Sequence, residues 1–206
     1  MLPDLLKYER TYWSKAITYI AGVDEAGRGP LAGPVVAAAV MFAPGVQIPF
    51  VNDSKKLSEK KREELYRQIY EQAVGVGVGI VGHEVIDRIN ILQASLLAMH
   101  KAISALAMKP QQLLDDGNFF RHETIPVENI IKGDGLSHSI AAASIIAKVT
   151  RDALMKEYDR QFPLYGFAKH KGYGTRDHIA AIRRYGYCEI HRRSFAVHRM
   201  SEVTIL

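Results

Sequence analysis

Two adjacent carboxylates, Asp24 and Glu25, directly follow a short apolar run at residues 20–23. An apolar run of this length, bounded by glycine, predicts a buried strand. Acids at the end of such a strand are costly unless a cation lies between them, because an uncompensated buried charge is strongly penalised. Carboxylate oxygens are the ligands that Mg²⁺ and Mn²⁺ prefer. The pair therefore indicates a divalent metal site.

A glycine-arginine turn, Gly27-Arg28-Gly29, comes immediately after the acid pair. Glycines let a backbone turn sharply and approach a ligand closely. The planar fork of an arginine can donate two hydrogen bonds to one phosphate. Acids for a metal beside a turn for an anion favour phosphodiester chemistry. An ordinary solvated turn is the alternative interpretation at this point.

Two later segments repeat the pattern of an apolar strand that ends in an acid next to glycine. Residues 112–116 end at Asp116, and residues 127–131 run into Lys132-Gly133-Asp134-Gly135. Neighbouring strands of a sheet lie about 5 Å apart, so acids at adjacent strand ends can share metal ions. We therefore predict that all four acids, Asp24, Glu25, Asp116 and Asp134, meet at one edge of a sheet.

The remaining elements are predicted from hydrophobic periodicity. Helices are expected at residues 3–16, 59–73, 89–108, 140–162 and 177–185, and strands at 20–23, 35–42, 74–80, 112–116 and 127–131. The first two strands should pair antiparallel, because only a short turn separates them. The alternating glycines of residues 74–80 resemble a dinucleotide-binding loop, but Ile80 stands where that motif needs glycine. These glycines more simply predict close packing against another backbone.

Bulk composition excludes several classes of protein. The chain has 206 residues, enough for one hydrophobic core, and a net charge of +5, which permits a polyanionic partner. The single cysteine, Cys188, rules out an internal disulfide and any multi-cysteine zinc site. No apolar stretch reaches the roughly 18 residues of a membrane helix. We expect a cytoplasmic protein with no membrane contact.

Basic and aromatic residues interleave between residues 165 and 195. This composition is typical of surfaces that follow a nucleic-acid backbone, and a solvated helical region is the alternative. None of the eight histidines has an obvious metal-binding spacing, so they are expected at the surface or in contact with phosphate.

Taken together, the motifs resemble those of the bacterial ribonuclease HII family, in the order of that family and over about residues 20–195. They are Asp24-Glu25-Ala26-Gly27-Arg28-Gly29, Asn52-Asp53-Ser54-Lys55-Lys56-Leu57, Asp116-Gly117-Asn118, Lys132-Gly133-Asp134, Ala142-Ala143-Ser144-Ile145-Ile146-Ala147-Lys148 and His170-Lys171-Gly172-Tyr173.

The resemblance implies an α/β protein with a ribonuclease H-like mixed sheet flanked by helices on both faces. It implies a Mn²⁺- or Mg²⁺-dependent endonuclease that cleaves the RNA strand of RNA/DNA hybrids and the 5′ side of ribonucleotides embedded in duplex DNA, by two-metal hydrolysis that leaves 3′-hydroxyl and 5′-phosphate ends. The catalytic and metal-binding residues would be Asp24, Glu25, Asp116 and Asp134, and the substrate-binding residues Gly27, Arg28, Gly29 and Tyr173.

The expected organisation is one compact unit, and a monomer. A helical segment at residues 1–19 would pack on a catalytic domain at 20–162, and a helical region at 163–206 would contribute to substrate binding. One departure from the family is Asp115, which stands where an aliphatic residue is more common. Strand alternation should turn it away from Asp116, to a peripheral position.

Two other functions fit parts of the sequence. A nucleic-acid-binding protein without catalysis would keep the basic region but has no need of all four acids. A nuclease of the same fold without ribonucleotide selectivity, such as a junction resolvase, would cleave an all-DNA substrate.

Overall fold

The structure, a computed structural model, describes residues 4–195. Five strands form one mixed sheet in the order β3-β2-β1-β4-β5. Their bounds are β1 Ile20–Ala26, β2 Val35–Met41, β3 Gly75–Val81, β4 Gln112–Asp116 and β5 Val127–Ile130. Asp24 and Glu25 therefore lie within β1, near its carboxyl end, rather than after the strand.

Strand direction decides where the acids meet. β1 pairs antiparallel with β2, as predicted, and β2 pairs antiparallel with β3. β4 runs parallel to both β1 and β5, with Ala21 opposite Leu113 and Leu113 opposite Val127. Because parallel strands end at the same edge of a sheet, the carboxyl ends of β1, β4 and β5 lie side by side.

Helices cover both faces of the sheet, as predicted. They are α1 Lys7–Trp13, α2 Glu59–Gln72, α3 His83–Ser104, α4 His138–Gln161, α5 Phe167–His170 and α6 Arg176–Tyr185. α3 packs on one face, and α2 and α4 pack on the other. The alanine-rich start of α4 is fully buried against β1 and β2, which brings this helix close to the edge that carries the acids.

The glycines of β3 admit the backbone of α3, which confirms their predicted role. A Cβ atom built on Gly77 would lie 2.0 Å from the carbonyl oxygen of Ala102, and one on Gly79 would lie 2.0 Å from that of Ala98. No side chain fits at such distances, so α3 can lie this close to the sheet only because both positions are glycine.

α3 begins six residues before the predicted start at residue 89. Asn90 interrupts it with a φ of 66°, and the Asn90 side chain accepts a hydrogen bond from the Gln93 amide at 3.1 Å. Asparagine tolerates this left-handed conformation better than most residues. The apolar periodicity therefore matched only the second segment of the helix, which also ends earlier than predicted, at Ser104.

α1 is anchored to the start of α4 by a buried carboxylate. Glu9 is 3% exposed and accepts hydrogen bonds from the Ser137 hydroxyl at 2.7 Å and from the hydroxyl and amide of Ser139 at 2.8 and 3.0 Å. A negative charge at a helix N-terminus is favourable because the helix dipole is positive there.

The division into segments 1–19, 20–162 and 163–206 stays a prediction, and the outer ends of the first and last segments lie outside the described residues. Between residues 4 and 195, none of the helices combines the length and the apolarity needed to cross a membrane.

Candidate active site

Three of the four predicted acids form one group at the shared strand edge. Asp24 lies on β1, Asp116 ends β4, and Asp134 lies in a 3₁₀ turn, Gly133–Gly135, that follows β5. One carboxylate oxygen from each residue lies within 4.8 Å of the others. Glu25 follows Asp24 on β1 and is outside this three-residue group, although its charge helps to raise the pKa of Asp24.

Backbone amides hold two of these carboxylates in place. The Gly133 amide donates to Oδ1 of Asp116 at 2.8 Å, which ties the end of β4 to the turn that carries Asp134. The Glu25 amide donates to Oδ1 of Asp24 at 2.7 Å. Main-chain contacts thus help to position Asp24 and Asp116.

Burial raises the pKa of every acid in the group, and the charge of Asp116 adds to this effect at Asp24 and Asp134. The pKa of Asp24 is well above its usual range, first because the side chain is buried and then because Glu25 and Asp116 are nearby. Burial also raises the pKa of Asp116, and burial together with the charge of Asp116 raises that of Asp134. A cation among these oxygens would relieve the repulsion.

Glu25 adds a further available ligand. Its Oε1 accepts from Arg28 at 3.3 Å, whereas its Oε2 is buried and has no hydrogen-bond partner within residues 4–195. Converging carboxylate oxygens with one unsatisfied buried oxygen suit a hard divalent cation such as Mg²⁺ or Mn²⁺. The donor set of this site therefore fits the predicted metal.

Lys55 is a site residue that the sequence interpretation missed. Its Nζ lies 3.8 Å from Oδ2 of Asp134. Burial alone would lower the pKa of Lys55, but the charges of Asp134 and Asp24 raise it above the usual value. The available signal was the family motif at residues 52–57, which contains Lys55.

The glycine-arginine turn and Tyr173 lie in the same groove as Asp24 and Glu25. A Cβ atom built on Gly29 would lie 3.5 Å from Cε1 of Tyr173, so the tyrosine ring lies directly beside the turn. The Tyr173 ring is 46% exposed. The groove is lined by residues of four separate segments, among them Asp24, Gly27, Arg28, Lys55, Lys148 and Tyr173.

The C-terminal region contributes less basic surface than its composition suggested. His138, His170, His178 and His191 are buried, so the expectation of surface histidines is wrong for these four. Burial lowers the pKa values of His138, His178 and His191 to about 4, which keeps the rings neutral near pH 7. Arg151 and Arg192 are also buried, and neither was singled out in the sequence.

Asp115 is outside the group, as strand alternation predicts, but it is not peripheral. The residue is 1% exposed, and its Oδ1 has no hydrogen-bond partner in the described part of the chain. Burial first, and then the charges of Glu25 and Asp116, raise its pKa to about 7. The expected peripheral position was wrong because β4 is an inner strand with both faces covered.

A mixed sheet covered on both faces, with carboxylates clustered at the ends of its parallel strands, defines a metal-dependent nuclease of the ribonuclease H-like fold. Comparison with known proteins supports this class and narrows it. A family model described as Ribonuclease HII matches residues 21–198. The chain is 57% identical over 196 residues to the Ribonuclease HII of Acholeplasma laidlawii, and the match covers 95% of this chain and 96% of that relative.

Solved structures of related enzymes share the fold of this chain. The crystal structure of the ribonuclease H2 from Pyrococcus horikoshii OT3 matches with a TM-score of 0.71 and 27% identity, covering 88% of this chain and 96% of that one. The structure of Bst-RNase HIII in complex with Mn²⁺ matches with a TM-score of 0.67, covering 87% of this chain and 68% of the other, and at 21% identity it shows the shared fold alone.

The chain belongs to the ribonuclease HII family. It is a hydrolase whose family cleaves RNA in RNA/DNA hybrids with the help of a divalent metal ion. The resemblance found in the motifs, and the ribonuclease H-like fold predicted from it, are both confirmed.

Proposed function

We propose that this enzyme cleaves the phosphodiester bond on the 5′ side of a ribonucleotide, both in RNA/DNA hybrids and where one ribonucleotide is embedded in duplex DNA. Hydrolysis would add water to the phosphorus and break its bond to the 3′-oxygen of the preceding nucleotide. The products would carry a 3′-hydroxyl and a 5′-phosphate. The observation that carries the proposal is that Asp24 and Glu25 line one groove with the Gly27-Arg28-Gly29 turn. Asp116 and Asp134, whose carboxylates converge on Asp24, line a second pocket that shares Lys55 with this groove.

The acids would hold the metal. Asp24, Asp116 and Asp134 converge within 4.8 Å, and Glu25 supplies the unsatisfied Oε2. Two Mn²⁺ or Mg²⁺ ions bound by these residues would supply charge neutralisation at the phosphate and activation of water. Lys55, beside Asp134, limits the repulsion between the acids and a polyanionic substrate.

The turn and the tyrosine would recognise the ribonucleotide. RNA differs from DNA at this position by the 2′-hydroxyl, so selection requires hydrogen-bonding groups close to the sugar. Gly27 and Gly29 let the backbone come near, and Arg28 presents a planar fork to the adjacent phosphate. The exposed ring of Tyr173 beside Gly29 would stack on the next nucleotide and sense the change from RNA to DNA.

The test uses three duplexes of one sequence: all DNA, DNA with a single central ribonucleotide, and an RNA/DNA hybrid. Each is incubated with the full chain in EDTA, in Mg²⁺ and in Mn²⁺, and the product ends are mapped. We expect metal-dependent cleavage of the second and third duplexes only, directly 5′ of the ribonucleotide. Cleavage of the all-DNA duplex would instead support a nuclease without ribonucleotide selectivity.

Asp116→Asn is the matched control for catalysis. Asparagine keeps the shape of the side chain and an oxygen for the Gly133 amide but removes the charge. We expect the variant to bind the hybrid while its turnover falls below detection. Near-normal turnover at saturating Mg²⁺ would show that Asp116 does not hold the metal.

A further inference from the structure

Arg151 carries a buried guanidinium group whose hydrogen-bond acceptors, among residues 4–195, are all main-chain carbonyls. It lies on α4, is 1% exposed, and donates from Nε to the Pro34 carbonyl at 2.9 Å and from Nη2 to the Ala32 carbonyl at 3.1 Å. Its Nη1 donates to the Lys171 carbonyl at 3.0 Å. Arg151 therefore joins the segment that follows the glycine-arginine turn to the loop that carries Tyr173.

Arg192, near the end of the described chain, also binds main-chain carbonyls of the glycine-arginine turn and of the segment after it. It is also 1% exposed, and it donates to the carbonyl groups of Gly27 at 2.6 Å, Arg28 at 3.0 Å and Gly33 at 2.9 Å. Two of its three acceptors belong to the turn itself. The carbonyl oxygens of Gly27 and Arg28 are thereby held toward the interior of the protein.

The guanidinium groups also define which residues fit in the turn. A Cβ atom built on Gly27 would lie 2.1 Å from Nε of Arg151, and the φ of Gly27 is 101°. Only glycine satisfies both conditions. The packing of Arg151 therefore requires glycine at position 27, independently of any contact with substrate.

Nothing in the described chain neutralises these two charges by a direct ion pair. Burying an arginine among carbonyl dipoles alone is expensive, and the two cations also repel each other. Burial lowers the pKa of Arg151 to about 10 and that of Arg192 to about 9, so both remain charged at neutral pH. Such a cost suggests a function beyond stability.

We propose that Arg151 and Arg192 are positioning residues for substrate selection, and that together they fix the Gly27-Arg28-Gly29 turn and the Tyr173 loop as one unit relative to the acids. Arg151 is among the residues that line the groove, but both arginines are 1% exposed and their guanidinium groups are engaged by main-chain carbonyls. Each acts through main-chain carbonyls, and the planar fork sets two acceptors at once, which the single ammonium group of lysine cannot do. This inference rests on the proposed function, because it concerns the geometry that recognises a ribonucleotide.

The two substrates of the proposed function should respond differently to a loosened turn. At a single embedded ribonucleotide, one 2′-hydroxyl and one RNA-to-DNA step must meet the turn and Tyr173 in register. A uniform hybrid offers a 2′-hydroxyl at every position, so a displaced turn still finds one. Because a misplacement of 1 Å can cost about 10²-fold in rate, the loss should fall on the embedded ribonucleotide.

The experiment compares Arg192→Lys and Arg151→Lys with the parent enzyme. For each protein, single-turnover rates in Mn²⁺ are measured on the single-ribonucleotide duplex and on the uniform hybrid, and Mn²⁺ binding is measured by calorimetry. We expect the ratio of the first rate to the second to fall by about 10²-fold while Mn²⁺ affinity stays within about twofold of the parent. Ile69→Ala, a core substitution on α2, serves as the control for lost stability and should keep the parental ratio.

An unchanged ratio in a folded lysine variant would overturn the proposal, and so would an equal loss on both duplexes, because either result describes a purely structural contact. Hydrogen exchange in the parent enzyme tests, without any substitution, whether the turn and the Tyr173 loop are held together as one unit. The amides of Leu31 and Gly33, which donate to Gly172 and Ile190 at 2.8 and 2.9 Å, should exchange only through global unfolding. Fast local exchange at these amides would refute the proposal even if neither variant folded. A parent that fails to cut at a single ribonucleotide refutes the proposed function instead.

Discussion

Removing one acid from the active site should stabilise the metal-free protein while it abolishes activity. Asp24 is 7% exposed and lies within 4.8 Å of carboxylate oxygens of both Asp116 and Asp134. Asparagine at this position keeps an oxygen for the Glu25 amide and removes the charge that repels its neighbours. We therefore predict that Asp24→Asn unfolds at a higher temperature than the parent in EDTA.

The size of the effect follows from the spacing of the oxygens. Two unit charges 4.8 Å apart repel by about 3 kcal/mol at an effective dielectric constant of about 20. Partial protonation of the acids and the nearby Lys55 reduce this repulsion, so we expect a net gain of about 2 kcal/mol. For a chain of this length 1 kcal/mol shifts the melting temperature by about 2–4 °C. The predicted increase is thus about 4–8 °C.

The assay is thermal unfolding of parent and variant at pH 7.5, first in EDTA and then with increasing Mn²⁺. Metal that binds only the folded state should stabilise the parent by about 2.7 kcal/mol at a concentration 100 times its dissociation constant. The variant should gain much less, so that the order of the two melting temperatures reverses. Leu65→Ala, in the core of α2, is a control whose response to Mn²⁺ should equal that of the parent.

Two results would refute this reasoning. If Asp24→Asn melts below the parent in EDTA, repulsion among the three carboxylates does not destabilise the metal-free protein. If parent and variant gain equally from Mn²⁺, the ion binds elsewhere.

Three further predictions concern recognition and pH. Arg28→Lys should lower the preference for a single embedded ribonucleotide over an all-RNA strand, because lysine lacks the planar fork; an unchanged preference in competition assays would count against this role. Tyr173→Ala should slow cleavage of the single-ribonucleotide duplex by roughly 5–150-fold, equivalent to about 1–3 kcal/mol of lost stacking, with the melting temperature nearly unchanged since the ring is half exposed, and Tyr173→Phe should retain most activity. Finally, urea unfolding should show stability falling as the pH drops from 6.5 towards 4. Buried His138 has its pKa lowered to about 4, so the unfolded state binds the proton first, and His138→Gln should flatten this slope.

Local sequence patterns were sufficient to predict the five strands, the acids at their ends and all of the helices except the short α5. The apolar runs that become β1, β4 and β5 each end next to an acid and a glycine, and this signal depends only on neighbouring residues. Ser58 illustrates the same point, since it caps α2 by accepting a hydrogen bond from the amide of Lys61, only three residues away, at 3.2 Å. Helix boundaries were less predictable. Asn90 interrupts α3 at a position where the periodicity of apolar residues does not indicate a break.

The motifs of the family predicted more than their chemistry alone could. Tyr173 lies far along the chain from the acids, and its spacing carries no signal that it belongs to their site. The resemblance associated it with the glycine-arginine turn, and the structure brings the Tyr173 ring beside Gly29. The roles proposed for both remain to be measured.

The tertiary structure alone decided which polar residues are buried and what they bind. His178, His191, Arg151 and Arg192 look in sequence like parts of a basic surface, yet all four lie in the interior. Whether a basic side chain meets solvent or a carbonyl group depends on segments more than 100 residues away, as for Arg192 and Gly27. The sequence by itself predicted the acids that form the group at the strand edge. The parallel order of β1, β4 and β5 determined that Asp24, Asp116 and Asp134 meet, because parallel strands end at the same edge of a sheet.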